Sequence, residues 1–275
     1  MMQERAFLFP CEDEELVGVI SEPVAPVGGL GVLIIVGGPQ YRVGSHRQFV
    51  LLARHLADSG VPCMRFDYRG MGDSTGKQGD FEGIDSDIRA AIDAFLERAP
   101  SVNRVVLWGL CDGASAACFV APRDSRVAGL VLLNPWVKTA QGEARTYLRH
   151  YYFRRLFDAS FWKKLVSGRI SVGRSVGGVI SAARVATGAD APTSQSLPDR
   201  MGAALRTAGK PVLLILSGRD YVAREFEGVA TGDLWQDLLK TMSVCRIEAA
   251  DHTFSSRPWR DEVAHLTSAW IHALA

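Results

Sequence analysis

The stretch LWGLCDGAS, from Leu107 to Ser115, holds a cysteine at the centre of the frame G-x-C-x-G. Small residues two before and two after a nucleophile let the chain turn sharply from a strand into a helix, which lifts the side chain out at the carboxyl end of a sheet. RVVLW leads into Gly109 and DGASAACFV follows, so Cys111 is expected on such a turn. A thiol there meets the positive end of the helix dipole, which favours the thiolate. Asp112 opposes this if its carboxylate points inward, although its backbone N–H can still serve an oxyanion. Two partners follow in order: VLLILSGRD presents Asp220 just past one strand, and SVCRIEAADHTFS presents His252 past another. A histidine within reach can take the proton of a partly ionised thiol, and a carboxylate can orient the ring and stabilise its cation. The catalytic set read from the sequence is Cys111, His252 and Asp220. The other cysteines, Cys11, Cys63, Cys118 and Cys245, read as ordinary packing residues, as most cysteines are.

The donors for a developing oxyanion are expected from VGGPQ, directly after the strand VLIIV. Glycines let backbone approach a bound carbonyl, and Pro39 has no N–H to offer. Gly38 is the first choice to pair with the Asp112 N–H, and Gln40 the second; GGP as a plain tight turn is the simpler alternative. In the same segment His46 and Arg42 are expected at the substrate, as are Trp136 and Tyr151 further on. His55, His150, His265 and His272 lie on helical or lid-like stretches and read as surface or packing residues. RFDYRGMGDSTG reads as structure, with glycines for a turn and Asp67 and Arg69 tying loops by a charge-assisted bond. It lacks the Lys-Ser/Thr that closes a phosphate loop, and Gly28, Gly29 and Gly31 precede a strand, not a helix, so neither is a nucleotide site.

These residues need a scaffold that ends strands at one edge. Arg5 to Phe9 and Leu16 to Ser21 are β-prone around an acidic turn and predict an antiparallel hairpin. VLIIV, CMRFD, RVVLW, GLVLL and VLLIL are continuous apolar runs, the pattern of strands covered on both faces. Between them Phe49, Leu52, Ala53 and Leu56 form one helical stripe, and Ile84, Ile88, Ala91, Ile92 and Phe95 another. Strand and helix in alternation predict a mostly parallel, doubly wound α/β sheet. The alternation breaks between Leu133 and Pro211, too long an interval for a crossover. The expected division is therefore a core of residues 1–134 and 204–275 with an inserted lid over 135–203. From Lys138 to Arg200 the chain carries eleven Lys and Arg against four Asp and Glu, so the lid is basic on a mildly acidic body. Its aromatic residues, Tyr147 to Trp162, form either an acyl pocket with Arg149, Arg154 and Lys163 toward an anionic head group or membrane surface, or the core face of a solvated helix.

Composition sets the bounds. With 31 Lys and Arg against 30 Asp and Glu among 275 residues, nothing points to nucleic acid. The longest apolar runs are about half the roughly 20 residues a membrane span needs, so no transmembrane segment is expected. Glu4 and the acidic run Glu12 to Glu15 stand where a secretory leader would need a basic start. Five cysteines with no regular spacing argue against a disulfide framework and a zinc site. The expectation is a cytoplasmic protein with no cofactor and no metal, acting on a small acyl substrate, anionic or lipid-like, with peripheral membrane contact through the lid; oligomeric state is not legible.

With Cys111, Asp220 and His252 in that chain order, the sequence resembles the α/β hydrolases over essentially its whole length, which implies an eight-stranded sheet. VGGPQYRVGSHRQF, RFDYRGMGDSTG and LWGLCDGAS together resemble the first type of hydrolase associated with the exosortase A system, found in bacteria that make exopolysaccharide and sort surface proteins. That resemblance implies a cytoplasmic hydrolase with an unassigned substrate. Dienelactone hydrolases and polyhydroxyalkanoate synthases also carry cysteine in G-x-C-x-G, although this chain is short for such a synthase. The activity expected is hydrolysis of an ester, thioester or lactone through an acyl-cysteine; thiolate chemistry disfavours expulsion of an amine, and hence peptidase action. Acyl transfer to a sugar or other acceptor, and a pseudoenzyme that binds lipid or a partner, are the alternatives.

Overall fold

The computed structural model describes residues 2–38, 40–137 and 196–274. Eight strands form one sheet: β1 (Gln3–Cys11), β2 (Glu14–Glu22), β3 (Leu30–Ile35), β4 (Cys63–Phe66), β5 (Arg104–Leu110), β6 (Val127–Leu133), β7 (Val212–Ser217) and β8 (Ser243–Ile247). They lie in the order β1-β2-β4-β3-β5-β6-β7-β8. β1 and β2 make the expected antiparallel hairpin, β2 meets β4 antiparallel, and every pair from β4 to β8 is parallel. All residues of β3, β4, β6 and β7 are buried, which is why their sequences are apolar with no alternation, save Arg65 in β4, paired with Glu4 at 3.0 Å, and Ser217 at the end of β7.

Helices α1 (Gln48–Asp58), α2 (Asp85–Arg98), α3 (Asp112–Val120), α4 (Leu197–Ala208), α5 (Tyr221–Val229), α6 (Asp233–Thr241) and α7 (Arg257–Leu274) fill the connections. The predicted stripes are the faces that pack: Phe49, Ala53 and Leu56 of α1 and Ile88, Ala91, Ile92 and Phe95 of α2 have no exposed surface. Phe49 meets Trp108 of β5 edge to face, with ring centroids 5.8 Å apart. His55 and His265 meet edge to face with ring centroids 5.0 Å apart, and His272 is held between the Ser59 and Ser268 carbonyls, so these three serve packing as expected.

Three expectations need correction. The core resumes earlier than residue 204: α4 begins at Leu197, and the compact unit that contains the sheet comprises Met1–Val137 and Pro198–Ala275. The polar run SQSLPD reads as loop, but Pro198 and Asp199 stand in the first turn of α4, where a missing N–H costs nothing and a carboxylate meets the helix dipole. Asp67 and Arg69 also do not pair. Asp67, fully buried, is bonded by the Arg42 guanidinium and by the Arg42 N–H at 2.6 Å. Arg69 grips Asp87 at 2.8 Å and also reaches Glu12. Arg42, expected at the substrate, binds Asp73 as well at 2.6 Å, so its charge is used to close the loop after β4. The lid expected over 135–203 lies outside the described residues except for 135–137 and 196–203, and Tyr151 and His150 fall with it.

The strand order places the site. β3 lies between β4 and β5, so the chain winds one way from β3 to β4 and the other way from β5 onward. Such a reversal leaves a crevice at the carboxyl ends of the two central strands, where ligands bind in open α/β sheets.

Candidate active site

Two loops flank that crevice. After β3 come Gly37 and Gly38; after β5 comes Cys111. Cys111 has φ 61° and ψ −125°, a strained conformation for a residue with a Cβ, and it directly precedes α3. The strain is held by neighbouring backbone: the Cys111 N–H donates to the Leu133 carbonyl at 2.9 Å, and its carbonyl accepts from Ala114 at 3.1 Å and from Trp136 at 3.1 Å. The Trp136 carbonyl in turn accepts the Ser115 hydroxyl at 2.7 Å, so this residue supports the elbow through its backbone.

The cysteines divide by environment. Burial pushes the Cys63 and Cys118 thiols up, Cys118 to about 12, and it also raises Cys11. Cys111 and Cys245 are partly exposed, and the five residues form no disulfide.

Asp220 follows β7 and caps α5, its carboxylate accepting the Ala223 N–H at 3.1 Å. The same carboxylate meets His252 Nδ1 at 2.8 Å. Burial alone would raise the Asp220 carboxyl, but the hydrogen bond and charge of His252, with the N–H groups of Ala223 and Val222, hold it below the usual range. Asp220 therefore stays a carboxylate and fixes the ring with Nδ1 toward it, leaving Nε2 for a second partner.

The sequence reading missed Asn134. Fully buried at the end of β6, it donates to Ser217 Oγ at 2.7 Å and to the His252 carbonyl at 3.1 Å, and accepts the Ser217 N–H at 2.9 Å. It ties the histidine loop to the central sheet. The signal was present as an asparagine closing an apolar strand, where a buried amide needs every bond it can make. Asn134→Ala is expected to lose about 2 kcal/mol of stability, because Ser217 keeps buried polar groups with no partner; thermal unfolding measures it. Asp251 braces the same loop: burial would raise its carboxyl, but the Ser255 hydroxyl, the N–H groups of Ser255 and Thr253, and His46 hold it below its usual value. His46, exposed and at φ 52°, is thus within electrostatic reach of Asp251, the residue before His252.

The expected oxyanion donors are arranged differently from the reading. Gln40 Oε1 accepts the Ser45 N–H at 3.1 Å and lies 3.4 Å from Gln48 Nε2, so its side chain holds the turn at Ser45–Arg47. The Asp112 carboxylate accepts the Gly113 N–H at 3.1 Å, and the nearby N–H groups of Gly38 and of Asp112 itself favour its anion. The Gly38 carbonyl lies 3.4 Å from the Tyr68 hydroxyl. The reason is local: an acidic side chain in the first turn of a helix folds back onto the N–H groups gathered there.

Among the described residues, no group of three or more His, Cys, Asp or Glu side chains is placed to hold a metal ion, and no helix is long and apolar enough to cross a membrane.

A strand-to-helix elbow at a switch point, with a carboxylate-bound histidine on the loop after β8, defines an α/β hydrolase. Residues 31–168 match the family described as serine aminopeptidase, S33, and the chain belongs to that family of hydrolases. Among curated relatives it is 29% identical to human protein ABHD12B over 145 residues, 49% of this chain and 39% of that protein. It is also 29% identical over 99 residues to a polyketide transferase of Penicillium, 34% of this chain and 33% of that protein. The chain thus matches well under half the length of both. Similar solved structures include an esterase of Pyrococcus furiosus (TM-score 0.69, 15% identity, 99% of this chain and 91% of that one). The esterase Est1E of Butyrivibrio proteoclasticus, with ferulic acid bound, follows at 0.65 and 17%, covering 98% and 99%. A dienelactone hydrolase of Anabaena variabilis matches at 0.62 and 17%, covering 99% and 98%. At these identities the likeness is one of fold.

Proposed function

We propose that this chain is a cysteine-dependent acyl hydrolase acting on an ester, thioester or lactone. The observation that carries the reading is the pairing of His252 Nδ1 with Asp220 Oδ2 at 2.8 Å, on loops of the sheet whose elbow is occupied by Cys111. Cys111 gives its proton to His252 and attacks the acyl carbon; the leaving alcohol or thiol takes that proton back. Water, deprotonated by the same ring, then attacks the acyl-cysteine and releases the acid and the thiol. Asp220 orients the ring throughout and stabilises its cation. The Gly38 and Asp112 N–H groups hold the negative oxygen of each tetrahedral intermediate once the Asp112 side chain has left them.

Cysteine in the elbow of a family described by its serine favours activated acyl donors, since a thiolate is both a strong nucleophile and a good leaving group and expels an amine poorly. The excess of basic residues between Lys138 and Arg200, in the expected lid of residues 135–203, favours an anionic or lipid-like acyl compound. The resemblance to the exosortase-associated hydrolases favours a role beside exopolysaccharide production in the cytoplasm. A transferase, with a sugar or other acceptor in place of water, uses the same first half-reaction; the partial match to a polyketide transferase favours keeping that reading.

The test is direct. Brief exposure to nitrophenyl esters and acyl-thioesters is expected to add one acyl mass, mapped by peptide analysis to Cys111, with free acid accumulating in the absence of an acceptor. An adduct mapped to any other residue, or turnover that persists after Cys111 is fully alkylated, overturns the reading.

A further inference from the structure

A carboxylate lies between the two loops that flank the crevice. Asp112 is the first residue of α3, and its Oδ1 accepts the Gly113 N–H at 3.1 Å, while the N–H groups of Gly38 and of Asp112 itself are near enough to favour its anion. A Cβ on Gly37 would stand 2.3 Å from that Oδ1, so the carboxylate lies against the bare backbone of the loop after β3. It therefore bridges the two loops that flank the crevice, beside the donors that the acyl-hydrolase reading assigns to the intermediate. A carboxylate is also the shape and charge of the acid that such a reaction releases.

We propose that Asp112 is a built-in competitor for the oxyanion site: its carboxylate occupies the Gly38 and Asp112 N–H groups in the resting protein and must swing out before a substrate carbonyl can be polarised. It acts as a tethered product mimic, so it sets the rate of acylation and screens the site against free carboxylates. The environment makes it displaceable. Burial raises the Asp112 carboxyl above its usual value even though three N–H groups and the charge of His252 act in the other direction, so the anion is held at a net electrostatic cost. A developing oxyanion bound by the same donors, with no side chain to desolvate, competes well for them.

The inference rests on the proposed oxyanion donors, but its test does not require turnover. Iodoacetate and iodoacetamide both alkylate a cysteine by the same displacement, in which the sulfur–carbon bond forms and iodide leaves; they differ in that the reacting carbon bears a carboxylate in the first and a neutral amide in the second. In the wild type that carboxylate meets an occupied, like-charged site. In Asp112→Ala it finds vacant donors, and the rate ratio of iodoacetate to iodoacetamide at Cys111 is expected to rise at least about tenfold, the size of effect that oxyanion-site donors command. Asp112→Asn removes the charge and keeps the occupant, so its ratio is expected to rise by less than a third as much. Protection of Cys63 and Cys118 in the same mass spectra reports that each variant is folded, and Asp112→Ser replaces the alanine variant if it is not. A ratio unchanged in the small variants, or one raised equally by asparagine, overturns the proposal. If the acyl-hydrolase reading itself is at fault, no protein forms an acyl adduct, while the alkylation ratio still reports whether Asp112 fills the site.

Discussion

Cys111→Ala is expected to abolish the acyl adduct and to lower ester turnover by a factor on the order of a thousand or more, the loss typical when a covalent nucleophile is removed. The effect should be chemical and not structural. Alanine keeps the Cβ that already tolerates φ 61° at this position, and the bonds that hold the elbow, from Cys111 N–H to the Leu133 carbonyl and from Trp136 N–H to the Cys111 carbonyl, are backbone to backbone. The thermal midpoint should therefore stay close to that of the wild type, and binding of an unreactive substrate analogue should survive. Cys111→Ser separates the parts further. A hydroxyl ionises far less readily than a thiol, so it depends entirely on His252 and Asp220 for activation. Turnover about ten- to a hundredfold below wild type is the expected result, and that turnover should resist iodoacetamide. Steady-state kinetics on one nitrophenyl ester with intact mass for each protein gives both numbers. Turnover of Cys111→Ala within a few fold of wild type would remove Cys111 from the mechanism and return it to the packing role that Cys63 and Cys118 have.

What the sequence made legible was whatever depends on pattern along the chain. Buried parallel strands need apolar residues on both faces, so RVVLW and VLLIL identify themselves, and a helix on such a sheet needs one stripe, so α1 and α2 do too. The chain order of Cys111, Asp220 and His252, each just past a strand, located the elbow and the two loops for the same reason. What stayed hidden depends on which way a polar side chain turns. Asp67 has Arg65 and Arg69 within two residues and Asp87 has Arg89, and only the folded loops match Asp67 to Arg42 and Asp87 to Arg69. Asp112 was weighed for its influence on the thiol, but its carboxylate lies against Gly37, 75 positions away, and no pattern along the chain encodes that approach. The start of α4 was missed because its first turn is polar, while Met201 and Leu205, which bury it, lie further along. Helices α5 and α6 are only nine residues each, and the aromatic pair Phe226 and Trp235, at 5.1 Å, packs them together.

The frame around Cys111 makes the second large prediction, on stability. Gly109 lies within β5 at an ordinary backbone conformation, so its need for glycine is not one of dihedral freedom but of space. A Cβ there would stand 2.4 Å from the carbonyl carbon of Gly113, 2.5 Å from the Ala114 nitrogen and 2.5 Å from the Gly113 oxygen. All three are backbone atoms of the first turn of α3, and they cannot rotate away as a side chain can. Gly113 is pinned in turn, since a Cβ on it would lie 2.5 Å from the Ile35 oxygen at the end of β3. Gly109→Ala must therefore drive α3 off the sheet, and α3 packs on β5, β6 and β3 with Ala114, Ala117 and Cys118 wholly buried. The expected loss is about 4 kcal/mol, at the severe end for overpacking because neither side can yield. Gly232→Ala is the matched control: it adds the same methyl group where nothing lies within 4 Å, at a φ of −69° that any residue adopts, and should change stability by less than about 1 kcal/mol. Urea or thermal unfolding of the two variants beside the wild type measures the difference. Equal stability would mean that the elbow can open by several tenths of an ångström without cost, and an elbow that loose could not hold Cys111 at a strained φ. The two glycines of G-x-C-x-G thus serve clearance, and the strain they make possible is carried by the cysteine between them.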